Sequence, residues 1–338
     1  MDAEPFCKER GDEMKAYIIL FSLLLLASCN RRELTYYEVA EITLTADWSQ
    51  SGLEGESDYG ATAVFYPKDG ETPQIVLMGN RTHATTRLRK GHYSVIIFNR
   101  SFNDFGAIAF RGENSFHTFE AYAKQIENRS TTEVIVTSPE KLATYVIEDF
   151  EVTDNMLGNY TVQQPQSRSC TPGDCTLHFI PTELTNTVKV QINVDGLKNV
   201  KDATCRLGGI PASILLHNNQ CSENMITQEF FIGNPVFHEG SSTDGTLTGK
   251  ISVFGFSEAQ EHSMSLSANL VDGKTKIEQT FDKVNVSKGT DEKGAIYLHV
   301  EAKTPEPIPD VEPEKGPDSG FNADVDGWGK EEHTELPL

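Results

Sequence analysis

No apolar run in this sequence reaches the roughly 20 residues that a membrane-spanning helix requires; the longest, Ala16 to Leu26, stops well short. Positive charge is scarce. The chain carries 29 basic against 50 acidic side chains, a net charge of −21, and such a surface repels phosphate backbones, which excludes nucleic acid as a partner. Tryptophan occurs twice. Catalytic signatures are missing: there is no G-x-S-x-G elbow, Walker A loop, G-x-G-x-x-G turn or H-E-x-x-H helix. The nine histidines are scattered, and no pair has metal-ligand spacing. A carboxylate pair for glycoside hydrolysis meets only in three dimensions and leaves no trace in sequence. Asn322, Asp324, Asp326 and Gly327 match the start of a calcium loop, but His333 stands where the bidentate Glu belongs. The expectation is a protein that is not an enzyme and has no cofactor and no metal.

What is present begins with compartment. Lys15, the apolar run and Ala27-Ser28-Cys29 have the order of a secretory signal: positive end, short apolar core, small-residue cleavage site. Leu26-Ala27-Ser28-Cys29 also resembles a lipobox, in which Cys29 takes a diacylglyceryl group and becomes the mature N-terminus. Residues 1–28 are therefore read as signal peptide, with Met14 the expected true start, and 29–35 as a lipidated tether. Asn30 is not the Asp associated with inner-membrane retention, which points to the outer membrane and the cell surface.

Four cysteines remain in the exported part: Cys170, Cys175, Cys205 and Cys221. An even set in an exported protein suggests disulfides, for which four cysteines allow three connectivities; zinc is the alternative, without a His at the right spacing. Local pairing is expected. Thr171 to Asp174 is a ready turn between Cys170 and Cys175, and Cys205 and Cys221 flank a hairpin expected through 206–220.

The dominant periodicity is two. Ile42, Leu44, Ala46 and Trp48 alternate with polar residues, as do Val188 to Val194 and Met264 to Leu270, which puts one face of each strand on a core and the other in water. Further strands are predicted at 61–66, 74–78, 92–98, 133–137, 144–152, 204–209, 229–237, 246–256, 275–282 and 295–301, with Asp272-Gly273 as a two-residue hairpin turn. Only 115–127 reads as a helix, placing Phe116, Phe119, Ala123 and Ile126 near one face. Many short strands with one helix predict an all-β chain of two tandem β-sandwiches. Residues 158–175 lack apolar periodicity and divide an N-terminal sandwich, 36–157, from a C-terminal one, 176–303.

Residues 304–338 form a Pro-rich, acidic linker and flexible tail with ten acidic and two basic side chains. In the tail Phe321, Ala323 and Val325 alternate with polar residues, and Trp328, Leu336 and Leu338 add apolar anchors. Alternation of this kind suits a strand donated to a partner's sheet edge. Loop aromatics Tyr59, Phe102, Phe105 and Trp328 are candidates for a glycan platform.

With a lipobox followed by two β-sandwiches, the chain resembles the fimbrial lipoproteins of Bacteroidales, the fimbrillins and the anchor or accessory subunits of minor fimbriae. Leu88 to Asn99 (LRKGHYSVIIFN) resembles a family strand that begins at Gly-x-Tyr and ends at Asn. Pro181 to Thr185, the strand 187–195 and Gly196 to Val200 resemble the opening hairpin of the second domain, and Cys205 to Leu216 its Gly-rich strand-to-strand passage. The resemblance implies transthyretin-like sandwiches, a structural role and no catalytic residue. Polymerising fimbrillins are cut at an Arg some way after the lipid Cys; here Arg31 and Arg32 adjoin Cys29 and no later Arg is a self-evident site. The implied function is a lipid-anchored accessory or anchor subunit of a fimbria-like surface structure, with the membrane and other surface subunits as partners. The alternative is a surface glycan-binding lipoprotein serving polysaccharide uptake.

Overall fold

The computed structural model describes residues 38–53, 59–126, 134–159, 175–256, 261–282, 284–290 and 296–314. The strands, in chain order, are β1 (Val39–Ala46), β2 (Ala61–Pro67), β3 (Gln74–Met78), β4 (His83–Arg89), β5 (Gly91–Asn99), β6 (Ile108–Arg111), β7 (Glu120–Ala123), β8 (Ile135–Val136), β9 (Ala143–Val152), β10 (Thr176–Phe179), β11 (Thr182–Glu183), β12 (Asn186–Val194), β13 (Val200–Pro211), β14 (Ser213–Leu215), β15 (Met225–Phe237), β16 (Gly245–Val253), β17 (Met264–Leu270), β18 (Lys276–Phe281), β19 (Asn285–Thr290) and β20 (Ile296–Lys303). Helix among the described residues is confined to three single 3-10 turns at Phe102–Asp104, Asp154–Met156 and Leu197–Asn199. The architecture is all-β, two sandwich units in tandem.

The first unit is built in three layers. Its central sheet runs β11-β9-β5-β2-β3. One face packs on the sheet β10-β1-β4 through Ile42, Leu44, Phe65, Val95, Ile97 and Phe179. The other packs under the small sheet β14-β7-β6 through Val64, Ile96, Phe98, Ile108, Phe119 and Ile214. A central strand covered on both sides needs apolar residues at consecutive positions, not alternate ones. The run Val95-Ile96-Ile97-Phe98 in β5 meets that need, and all four side chains are fully buried. β1 and β4, covered on one face only, keep the alternation: Ala40, Ile42, Leu44 and Ala46 are buried while the residues between them are half-exposed.

The second unit turns on one long strand. The first half of β15 pairs with β13, in the sheet β18-β17-β13-β15; its second half pairs with β16, in the sheet β15-β16-β12-β20-β19. The register shifts between Gly233 and Val236, where Asn234 adopts φ of 50°. A bulge of this kind bends a strand and lets it cross from one layer to the other. Between the layers lie Val188, Val190, Ile192, Val194, Cys205, Leu207, Leu266 and Val300; burying each of the larger aliphatic side chains contributes about 1.5–3 kcal/mol.

The structure departs from the sequence reading in several places, three of which bear on how the units are built. First, the helix expected at 115–127 is absent over its described part, 115–126, which holds a turn and β7, pairing β6 on one side and β14 on the other. A ladder partner from 213–215, distant in sequence, overrides a local pattern short enough to fit either period. Second, strand pairing carries the first unit past 175: β10 lies parallel to β1 and β11 antiparallel to β9. Third, 304–314 is no free linker. Ile308 is buried in the second core, the Ile308 N–H donates to the Asp195 carbonyl at 2.8 Å, and the Glu314 N–H to that of Val271 at 2.9 Å.

Candidate partner-binding surfaces

β3 ends the central sheet of the first unit, and among the described residues no strand pairs with its outer edge. Cross-strand register puts Ile75 opposite Val64 and Leu77 opposite Thr62, so both side chains lie on the face that β14-β7-β6 covers further in. Among the described residues nothing extends that cover over β3: Ile75 is 49% and Leu77 65% exposed. Natural sheets usually blunt such an edge with charge, Pro or a bulge; β3 has Pro73 before it and no charged residue within it. The apolar edge is therefore a candidate interaction surface.

A second apolar surface lies on the far half of β15. Phe231, Val236 and Phe237 are exposed; Phe231 still pairs with Thr204 of β13, whereas Val236 and Phe237 pair with Thr246 and Gly245 of β16. The turn that follows is held firmly. Asp244 accepts the Gly196 N–H at 2.8 Å, and that bond first among several holds its carboxyl below the usual range.

A third feature is a cleft of about 450 Å³ between the end of β2 and the loop before β7, walled by Tyr66, Pro67, Pro73, Ser94, Phe116 and His117. Gly112 shapes its loop. It sits at φ of +70°, and a Cβ there would fall 2.1 Å from the Thr118 carbonyl oxygen. The Tyr66 ring is edge-on to Phe116, centroids 5.8 Å apart, and Phe116 and His117 both touch the His217 ring. Burial raises the Tyr66 phenol, with Glu113 adding to the effect. Burial, and then the neighbouring His117, lowers His217.

The sequence-predicted site residues divide as follows. Cys29, Cys170, Phe321, Ala323, Val325, Trp328, Leu336 and Leu338 lie outside the described residues, as does the partial calcium loop at 322–333. Cys175 is buried and disulfide-bonded. Cys205 and Cys221 are not paired: both are free thiols, the first inside the second core, the second against the core of the first unit's outer layer. The expected hairpin does not form because the chain from Cys205 runs on in β13 to Pro211 and then turns into β14, which joins the other unit's sheet. The loop aromatics form no shared platform. Phe105 is buried, Phe102 packs edge-on to Phe98, and Tyr59 lies under the Arg100 guanidinium, 4.1 Å from ring centre. Trp48 is buried in the first core and donates to the Arg81 carbonyl at 2.8 Å. No cluster of three or more metal-capable side chains occurs among the described residues. Sequence reading misses the β3 edge and the Tyr66 cleft. The signal for the first is Ile75-Val76-Leu77, three consecutive apolar residues in a strand with one face to spare.

A family model described as Domain of unknown function (DUF5119) matches residues 28–231. Over 356 aligned residues the chain is 23% identical to a Bacteroides ovatus protein provisionally named fimbrium anchoring subunit Fim4B, covering 95% of this chain and 97% of that one. Two solved structures are similar in part. A Bacteroides ovatus protein provisionally called an adhesin shares 18% identity over 75% of this chain and 86% of its own, with a TM-score of 0.49. The fimbrial anchor protein Mfa2 from Porphyromonas gingivalis shares 9% over 76% and 94%, with a TM-score of 0.39.

Proposed function

This chain belongs to the DUF5119 family, and from that premise we propose that it is a non-enzymatic anchoring subunit of a fimbria-like surface structure, held in the outer membrane by lipid on Cys29. The observation that carries the reading is the end-to-end similarity to the Bacteroides ovatus fimbrium anchoring subunit, which leaves almost none of either chain unmatched. The family match begins at residue 28, beside the expected processing site, which supports a functional chain starting at Cys29. Two or three acyl chains on that residue suffice for stable attachment, whereas a single one is marginal.

The anchor acts through contacts with the next fimbrial subunit. Two parts of the chain suit such contacts. One is the open β3 edge, with Ile75 and Leu77 on one face; the other is the tail segment with Phe321, Ala323 and Val325. The edge accepts a strand, and the tail donates one. Both use main-chain hydrogen bonds for affinity and alternate side chains for selection. The test is fractionation with co-purification. Cys29→Ser is expected to release the chain from membranes or leave it as precursor, and the wild-type chain to bring down a fimbrial subunit. Unchanged fractionation of the variant removes the lipid assignment. Recovery of transport or glycosidase components in place of fimbrial subunits removes the anchor.

A further inference from the structure

We propose that the outer face of the sheet β18-β17-β13-β15 carries a binding site for an uncharged sugar ring, with Phe231 as its stacking wall and the Asp202–Asn269 pair beside it. Cross-strand register sets this face out in rows. Phe231, Thr204, Ser267 and Glu278 lie side by side on β15, β13, β17 and β18. On one side of them run Asp202, Asn269 and Lys276, and on the other Glu229, Arg206 and Ser265. Along each strand these positions alternate with residues of the second core, among them Ala203, Cys205, Leu266 and Ala268, so they face outward. The centre, Thr204 and Ser267, is short, and the side chains around it are long. That arrangement leaves a hollow of about 230 Å³. Phe231 stands at its β15 border. A Cβ at Gly233 would fall 2.6 Å from the Phe231 ring, so the ring leans along β15 over that glycine. Gly233 is one step on from the Ala203–Ile232 pair, which brings the ring beside Asp202.

The chemistry of the face narrows what the ligand is. The Phe231 ring is 68% exposed and offers an apolar surface to the C–H face of a sugar, whose weakly positive hydrogens suit the negative face of an aromatic. Beside it stand donors and acceptors that solvent reaches. The Asn269 amide donates to Asp202 at 2.6 Å, which leaves the second carboxylate oxygen and the Asn269 carbonyl able to accept. Lys276 and Glu278, 3.8 Å apart, have side chains 60% and 71% exposed. Arg206, bonded to Glu229 at 2.8 Å, closes the far end. A hydroxyl both donates and accepts, so vicinal hydroxyls serve carboxylate and ammonium together. Charged ligands fit less well. An anion meets the carboxylates Asp202, Glu229 and Glu278 against only Arg206 and Lys276, in a chain of net charge −21. A cation meets Arg206 and Lys276, and the one carboxylate outside an ion pair, Asp202, is already held by Asn269. A purely apolar ligand would strip water from all these groups and return no hydrogen bond. The site does not depend on the anchoring role: it adds a recognition function to the same chain.

The test is saturation-transfer NMR of the full-length chain, in a detergent without a sugar headgroup, against the methyl glycosides of glucose, galactose, mannose, xylose and N-acetylglucosamine. Glucuronic acid and glucosamine serve as the acidic and basic comparisons. At least one neutral glycoside is expected to bind, and to bind better than either charged sugar. Phe231→Ala, at an exposed position, is expected to keep the circular dichroism and melting temperature while weakening that binding by about tenfold. Asp202→Asn keeps the shape and an acceptor for Asn269 but removes the charge, and is expected to weaken binding by a similar factor. Lys250→Ala, exposed on the other sheet, is expected to bind as the wild type does. The proposal is overturned if no neutral glycoside binds, if a charged sugar binds better, or if either Phe231→Ala or Asp202→Asn binds as the wild type does. It is also overturned if no glycoside binds while Phe231→Ala loses a protein that co-purifies with the wild type, which would make this face a protein contact.

Discussion

Gly196 and Ile308 show how single positions close the second unit. Gly196 sits at φ of +84°, and a Cβ there would lie 2.5 Å from the Ile308 carbonyl oxygen. Both the conformation and the close approach demand glycine. Gly196→Ala is therefore expected to destabilise the chain by about 1–3 kcal/mol, and Ile308→Ala by about 2–5 kcal/mol, each read from urea unfolding. A free acidic linker at 304–314 predicts no effect from the second. The thiols make a matching case. Burial alone pushes Cys205 up to about 12 and also raises Cys221. A maleimide should label Cys221 slowly in the native chain and Cys205 only after denaturant, because the thiolate is the reactive form. A disulfide between them in peptide maps run without reductant would contradict the structure.

At the scale of elements, turns are set by carboxylates. The Asp272 carboxyl accepts from the Thr275 hydroxyl at 2.6 Å and from two backbone N–H groups. Asp104 holds Ser101 in the same way, and Asp244 holds Gly196. Hydrogen bonding keeps all three below the usual carboxylate range. A group whose folded pKa is depressed stabilises the fold above its unfolded pKa, about 3.9 for Asp, and loses that contribution as pH falls through the folded value. The urea midpoint should hold from neutral pH down to about 4 and decline below it; a midpoint that rises in acid would show that other groups dominate. The strands whose periodicity is legible in the sequence, among them β1, β12 and β17, have one buried face and run for seven residues or more. β6, β7, β10, β11 and β14 run for two to four residues and escape such a reading, since so few positions cannot establish a period. β3 is legible as a strand but not as an edge, because strand order depends on pairings that no local pattern records. Replacing Ile75 and Leu77 with Lys should leave unfolding nearly unchanged, both being exposed, while abolishing capture of a fimbrial partner in co-purification. Retained capture would move the contact to the tail or to β15.

At the scale of the molecule, the two sandwiches are joined by exchanged strands, and this decides how the chain can be cut. β14, from the second unit, completes the outer sheet of the first through Ser213, Ile214 and Leu215. β8, from the first, pairs with Thr227 and Gln228 of β15. Ile214, Leu216 and Phe254 fill the same core as Val64, Ile96 and Phe98, while Val136 enters the core of the second unit. The Ser138 hydroxyl and the Ser252 backbone bond each other across the joint. A cut at the apparent boundary near 184 would strip one face of β5 and β2 of part of its cover, and expose the large apolar surface that drives aggregation. The fragment 36–184 is therefore expected to be insoluble or only partly folded by itself, and 186–314 to lose the β8 contact and unfold at lower urea than the intact chain. Co-expression of the two pieces should restore a soluble complex. If 36–184 alone gave a cooperative transition matching that of the whole chain, the exchanged strands would be incidental, and the units would be tandem domains in the simple sense read from the sequence.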